Sequence, residues 1–422
     1  MKQIPFWVEE HPRPENLTSD LPDDADVLIV GSGLTGLTAA LRLARGGKSV
    51  VVVDSGEIAS GASSVNGGMV SPDIKAGIKF IFDRHGPELG REMWQATVRS
   101  VDIVSDLAAA ESIDASIVRG GMAALGIGQG AQRAFESSLS WYRENVGVDW
   151  EVLGPDRVGE VVGESPFTTA LFEPEGMGIQ PARFVFGLAE RAAAAGAKLV
   201  ANCEARSLQR HASGFRVETE SGTVRTGEVV LATNGYTTGR PSPGLARRVV
   251  PVGSYIVVTE PIGEIAAAVF PGGAMTYTKK RLLNYMRRTP DDRILIGGRR
   301  NLHTGLDLEH SAHALHGQLV HYFPRLDDVA LSHVWGGKLG VPFDLVPHMG
   351  RIDGAWYALG YAGHGVGLST LMGHELAGML LGEEPPSVFT KVPHPTRFYY
   401  RGNPWFLTPA SVLYRTLDRL GR

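Results

Sequence analysis

The chain has 422 residues, is 43% hydrophobic and 20% charged, and carries a formal net charge of −4. A chain this long buries a large core in about two domains, and the charge leaves no basic surplus for nucleic acid. The one cysteine, Cys203, excludes a disulfide framework and a cysteine zinc site and fits a reducing cytoplasm, while no apolar run is long enough to span a membrane.

Residues 1–23 are rich in proline and acid. They lack the basic start and apolar centre of a signal peptide and read as a strap over the surface. Asp26-Val27-Leu28-Ile29-Val30 is short, apolar and β-branched, as an interior parallel strand requires. The turn Gly31-Ser32-Gly33-Leu34-Thr35-Gly36 follows with G-x-G-x-x-G spacing. Its first glycine permits a tight turn, the second lets backbone approach a pyrophosphate, and the third lets helix and strand pack closely. Leu37, Ala40, Leu41 and Ala44 then share a helix face, and a second strand over 49–53 ends at Asp54-Ser55. A carboxylate at that point can accept both adenosine-ribose hydroxyls, so the frame reads as a dinucleotide clamp. The small, polar segment Gly61-Ala62-Ser63-Ser64-Val65-Asn66-Gly67-Gly68-Met69 suits a loop laid against a large planar ligand.

Downstream, apolar spacing predicts helices over 94–109 and 130–144, and strands over 255–259, 282–288 and 294–296. His310, His313, His316 and His321 recur on one stretch with Glu309 as the only adjacent carboxylate; this reads as a solvated helix face, and no metal is expected. A strand over 357–360, the turn Gly363-His364-Gly365 and a helix over 366–381 form a second strand-turn-helix unit. From Glu383 onward, Phe398-Tyr399-Tyr400, Pro404-Trp405-Phe406-Leu407 and Val412-Leu413-Tyr414 alternate with arginines. This basic aromatic tail is expected to dock on its own globule, with a membrane surface or partner subunit as the alternatives.

Several of these segments resemble one family. Gly61 to Met69 is similar to the G-A-S-x-x-N-G-G run of the FAD-dependent amine oxidases of the D-amino acid oxidase group, especially the γ-glutamylputrescine oxidase and glycine oxidase branches. Residues 196–205 resemble that group's strand over the adenine, and Val229 to Tyr236 its V-x-A-T-G-A strand and turn. Tyr285-Met286-Arg287 to Gly298 resembles its Y-x-R hairpin. Trp335-Gly336-Gly337, Asp344, Pro347, Gly350-Arg351 and Gly360 to Val366 resemble its C-terminal signature.

The resemblance implies an α/β chain in which a Rossmann-like FAD domain of the glutathione-reductase type interleaves with an α+β substrate domain on a mostly antiparallel sheet. The FAD domain would comprise 24–71, 176–250 and 331–382, the substrate domain 72–175 and 251–330, with 383–422 as the tail. FAD would be non-covalent, because Cys203 falls in the adenine strand and not where sarcosine oxidase makes its cysteinyl-flavin bond. Its contacts would be Gly31, Gly33, Leu34, Thr35, Gly36, Asp54, Ser55, Gly61, Ala62, Ser63, Asn66, Gly67, Gly68, Met69 and Ala205. Further along they would be Ala232, Thr233, Asn234, Gly235, Gly336, Arg351, Gly363, Gly365, Val366 and Gly367.

By the same resemblance, a small amine or amino acid gives hydride to flavin N5. The imine hydrolyses to an aldehyde or oxo acid, and O2, yielding H2O2, or another acceptor reoxidises the flavin. Tyr255, Tyr285 and Arg287 are the candidate substrate contacts. Tyr285 and Arg287 lie two apart on a strand and share a face, so a phenol and a guanidinium could clamp a carboxylate or phosphonate. Arg287 could equally be a solvated residue balanced by Asp291 or Asp292. Arg299 and Arg300 are weaker candidates. His364 could donate to flavin or substrate, or simply close a turn, and Lys338 could assist oxygen reduction or lie on the surface. Ser64-Val65 stands where Gly-Arg commonly precedes N-G-G in the γ-glutamylputrescine branch, which puts that substrate in doubt. An FAD hydroxylase, which should carry a G-D-A-x-H-like turn, and a non-catalytic flavoprotein are the rival readings.

Overall fold

The computed structural model describes all residues except 300, 301, 306 and 420–422. Among the described residues, strands form two eight-stranded sheets and one two-stranded ribbon.

The first sheet grows from the apolar runs that bracket the glycine turn. Asp24–Val30 lies between Thr223–Leu231 and Val50–Val53, parallel to both. Lys198–Val200 and Ala355–Leu359 extend it in parallel, and His348–Ile352 closes it antiparallel. Val27 to Val30 and Val50 to Val53 are all buried, which is why these strands read as continuous apolar runs and not as alternations. The sequence suggested one strand through 196–205. The chain instead leaves the sheet after Val200, takes a positive φ at Asn202, and starts a separate hairpin strand at Ala205–His211.

The second sheet orders its strands Leu331–Pro342, Val249–Thr259, Ile294–Gly298, Asn284–Arg288, Met275–Thr278, Met122–Gly126, Thr169–Glu173 and Glu151–Leu153. It is antiparallel except where Met275–Thr278 meets Met122–Gly126. It takes in residues from both sides of Leu331. Leu331–Pro342 pairs along the whole length of Val249–Thr259, so residues 331–342 lie in the second sheet and not in the first.

Two helices, Leu34–Arg45 and Gly365–Leu381, pack together and open toward the space between the sheets. Pro87–Ala110, expected in the substrate domain, packs on Gly365–Leu381. Gly367 lies on that seam against Ser100. Residues 62–65, read as loop, form one helical turn.

The N-terminal strap is not superficial. Phe6–Glu10 is a helix that carries Trp7 into the core at 0% exposure. The Trp7 indole donates to the carbonyl of Asn66 at 2.9 Å, and Gln180 donates to the Trp7 carbonyl. The Trp7 ring also lies 5.6 Å from the Arg287 guanidinium carbon. A proline-rich segment carries no periodicity to reveal such an anchor, because its buried apolar residues, Phe6, Trp7 and Leu17, are few and irregularly spaced. Trp7→Ala is therefore expected to lower unfolding stability by about 3–5 kcal/mol, measured by denaturant unfolding of the full chain.

Candidate active site

The glycine turn is built by exclusion. Gly31 has φ +106°, and a Cβ there would come within 2.7 Å of the Ala232 carbonyl oxygen. A Cβ on Gly36 would lie 2.0 Å from the Gly31 oxygen. Only glycine permits this crossing of strand, turn and helix. Asp54 braces the turn: Oδ2 accepts from the Ser32 amide at 2.8 Å and the Ser32 hydroxyl at 2.6 Å, and Oδ1 accepts from the Gly56 amide. Neither the Leu34–Arg45 nor the Gly365–Leu381 helix has a side chain bonded at its N-cap residue. The first-turn N–H groups thus face outward, apart from that of Leu34, which donates to Ser63 Oγ at 3.0 Å.

Both helix N-termini open onto one cavity of about 1170 Å³ between the sheets. Of the residues expected to hold cofactor, Gly33, Leu34, Thr35, Ala62, Ser63, Asn66, Gly67, Met69, Ala232, Asn234, Gly363, Gly365 and Val366 line its wall. Gly31, Gly36, Gly61, Gly68, Thr233 and Gly235 lie behind that wall, shaping the turns that carry it. Ser55 is exposed beside Asp54, and Ala205 is buried in the apolar layer under the first sheet. Arg351 sits at the surface, paired with Glu228 and stacked on Trp356.

The predicted substrate contacts divide. Tyr285 and His364 line the cavity. Tyr285 shares a 3.3 Å hydrogen bond with Ser254 Oγ, and burial raises its phenol pKa. Tyr255 is on the opposite face of its strand: Val250, Val252, Ser254 and Ile256 face the cavity, while Tyr255 joins the core behind the sheet. Gly336 stands directly across from Tyr255 and shares that wrong face, so Gly337 is the cavity residue. Lys338 is exposed, its ammonium over the Tyr236 ring. Arg287 is neither a clamp nor solvated. It is 1% exposed, and its Nη1 donates to the carbonyls of Gly67, Gly68 and Ile179. Burial lowers its pKa to about 10.

The cavity's charged groups come instead from positions that the sequence scarcely marked. Arg299 lines it, with Nε buried and lacking a hydrogen-bond partner. Lys75 lines it too, and its pKa is lowered by burial and then by Arg299. His364 is held near a pKa of about 3 by burial, with Lys75 and Arg299 adding to the effect. It is neutral, and its Nδ1 is buried without a partner. Farther along the wall, Glu173 accepts from the Tyr277 hydroxyl at 3.0 Å. Burial and nearby Asp73 raise its pKa to about 8, and burial raises Asp73 to about 6. Lys75 and Asp73 fall in the irregular stretch before the Ile78–His85 helix, where no periodicity assigns a side chain to a face. Arg300 lies outside the described residues. Among the described residues, no three His, Cys, Asp or Glu are grouped to hold a metal.

The family model for FAD dependent oxidoreductases, DAO, matches residues 26–379. The chain belongs to this family. This FAD-dependent oxidoreductase is 28% identical over 403 residues to γ-glutamylputrescine oxidoreductase of Escherichia coli (strain K12), covering 94% of this chain and 93% of the relative. It is 25% identical over 372 residues to glycine oxidase of Geobacillus kaustophilus (strain HTA426), covering 85% of this chain and 93% of that one. The crystal structure of glycine oxidase from Geobacillus kaustophilus superposes with a TM-score of 0.75 at 22% identity, covering 90% of this chain and 100% of the other. L-proline dehydrogenase from P. horikoshii gives 0.71 at 20%, covering 87% and 96%. These likenesses accord with a Rossmann-like FAD domain joined to a substrate domain. The glycine turn, two open helix N-termini and the partnerless His364 nitrogen fit a long anionic cofactor with a polar ring.

Two outcomes follow from the geometry. Gly36→Ala, which drives a methyl into the Gly31 carbonyl, should abolish FAD retention, read as the ratio of flavin to protein absorbance. The raised Glu173 pKa means the folded state holds a proton that the unfolded chain releases near 4.5. This contribution to stability is complete below that pH and is lost as pH rises through about 8. Glu173→Gln should flatten that decline, as followed by thermal unfolding across pH.

Proposed function

We propose that the chain oxidises the C–N bond of a small amine that carries an acidic group, most simply an amino acid, using non-covalent FAD. The observation that carries this reading is the pair of cations, Arg299 and Lys75, on the wall of the same cavity onto which the His364-capped helix opens. Neither makes an ion pair with a carboxylate among the described residues, and a half-buried cation left in that state favours an anionic ligand.

Gly33, Leu34 and Thr35 at one helix N-terminus would hold the pyrophosphate. Gly363 to Val366 at the other would face the ring, where the helix dipole stabilises negative charge. Bound FAD supplies the two-electron acceptor for the C–H bond next to nitrogen, and O2 or another acceptor restores it. The protein's own groups orient and tune the substrate. Arg299 and Lys75 fix its acidic group and, as nearby cations, lower the pKa of its ammonium. The substrate amine is thereby held in the neutral form that can release hydride from its neighbouring carbon. Neutral His364 offers a hydrogen bond without adding charge, while Tyr285, Ile256 and Tyr361 wall off water.

Anaerobic titration with amino acids, aminophosphonates and plain amines tests this reading. Bleaching of the flavin band by an acidic amine is expected, and a flavin that no amine bleaches would sink it. Arg299→Gln should raise KM for the acidic amine by about tenfold or more and change KM far less for the matched amine without the acid.

A further inference from the structure

The chain's C-terminal piece sets a cluster of exposed aromatic and aliphatic side chains on a firm base. The base is well anchored. Tyr400 is 2% exposed and donates to the Val249 carbonyl at 2.9 Å. Leu407 and Ser411, on the Leu407–Arg419 helix, are buried, and Ser411 Oγ accepts from the Leu302 amide. On this base Phe398, Trp405, Leu413 and Val412 stand 93%, 62%, 54% and 51% exposed. The rings are preorganised by edge contacts, Phe398 on Tyr399 and Trp405 on both Tyr399 and Phe406. Large apolar side chains held open to solvent in this way mark an interaction surface.

Charge selects the partner. Residues 391–422 contain six lysines and arginines, of which Lys391 pairs with Glu92, and one acid, Asp418, in a chain whose net charge is −4. Asp418 turns inward to accept from the Arg281 and Leu282 amides, while Arg397 and Arg401 are exposed among the aromatic residues. A second copy is a poor occupant, because a two-fold contact would set this basic patch against itself. Exposed Trp, Phe and Leu interleaved with arginine match the boundary between the acyl chains and headgroups of an anionic lipid surface. No helix among the described residues is long and apolar enough to cross a membrane, so the attachment would be peripheral. We propose that this face docks the enzyme on an anionic membrane surface. Phe406, Leu407, Ala410 and Tyr414 from the same segment line the active-site cavity, and docking therefore brings the cavity wall to the lipid interface.

Flotation of the full FAD-loaded chain with phosphatidylglycerol-containing vesicles, against pure phosphatidylcholine, tests this. Binding to the anionic vesicles alone, weakened by salt, is expected. Trp405→Ser with Leu413→Ser, and separately Arg397→Gln with Arg401→Gln, should each reduce binding by about tenfold without changing turnover of a soluble substrate. The proposal is overturned if wild type does not float, if both double variants bind as well as wild type, or if the patch drives self-association with no lipid binding.

Discussion

The architecture around the cavity depends on one buried cation. Arg287 leaves the second sheet, crosses behind the cavity wall and donates to the carbonyls of Gly67, Gly68 and Ile179. Those carbonyls belong to the glycine-rich loop and to the approach to the Pro181–Ala194 helix, so one guanidinium ties the two halves together. No carboxylate among the described residues neutralises it. Carbonyl dipoles and the face of Trp7 do so instead. The arrangement explains why the N-terminal segment reaches into the core: Trp7 covers the guanidinium and bonds to Asn66, in the same loop. The loop position, and with it the shape of the cavity, follows from this joint.

The cavity holds titratable groups of both signs. Near the His364 turn, burial holds the imidazole neutral, and the positive charges of Lys75 and Arg299 add to the effect. Along the wall, Asp73 and Glu173 repel one another, and burial pushes both toward protonation. A structural core would pair these groups directly. Buried titratable groups left without a direct ion-pair partner along a cavity wall are a property of sites that orient polar ligands.

The parts of the fold that the sequence disclosed are those with short-range causes. Gly31 and Gly36 are demanded by backbone crossings within a few residues, and the runs at Val27–Val30 and Val50–Val53 declare fully buried parallel strands. The Gly363-His364-Gly365 turn was legible for the same reason. Strand parity was not. Val249–Thr259 is buried on both faces over nearly all its length, so it carries no polar alternation to show that Ser254, and not Tyr255, meets the cavity. Gly336 inherited the error, because its face is fixed by pairing with Tyr255.

By itself, then, the sequence determined the dinucleotide-clamp frame and the second strand-turn-helix unit, because each is written in local backbone requirements, while the FAD-dependent family showed through the resemblance of motifs spread along the chain. Only the tertiary structure decided the roles of the charged residues. Arg287 and Arg299 are both arginines near the ends of adjacent strands, yet one is sealed among carbonyls and the other faces the chamber. A charge acquires its function from the dielectric and the partners around it, and those are assembled from loop, helix and sheet segments far apart in the chain.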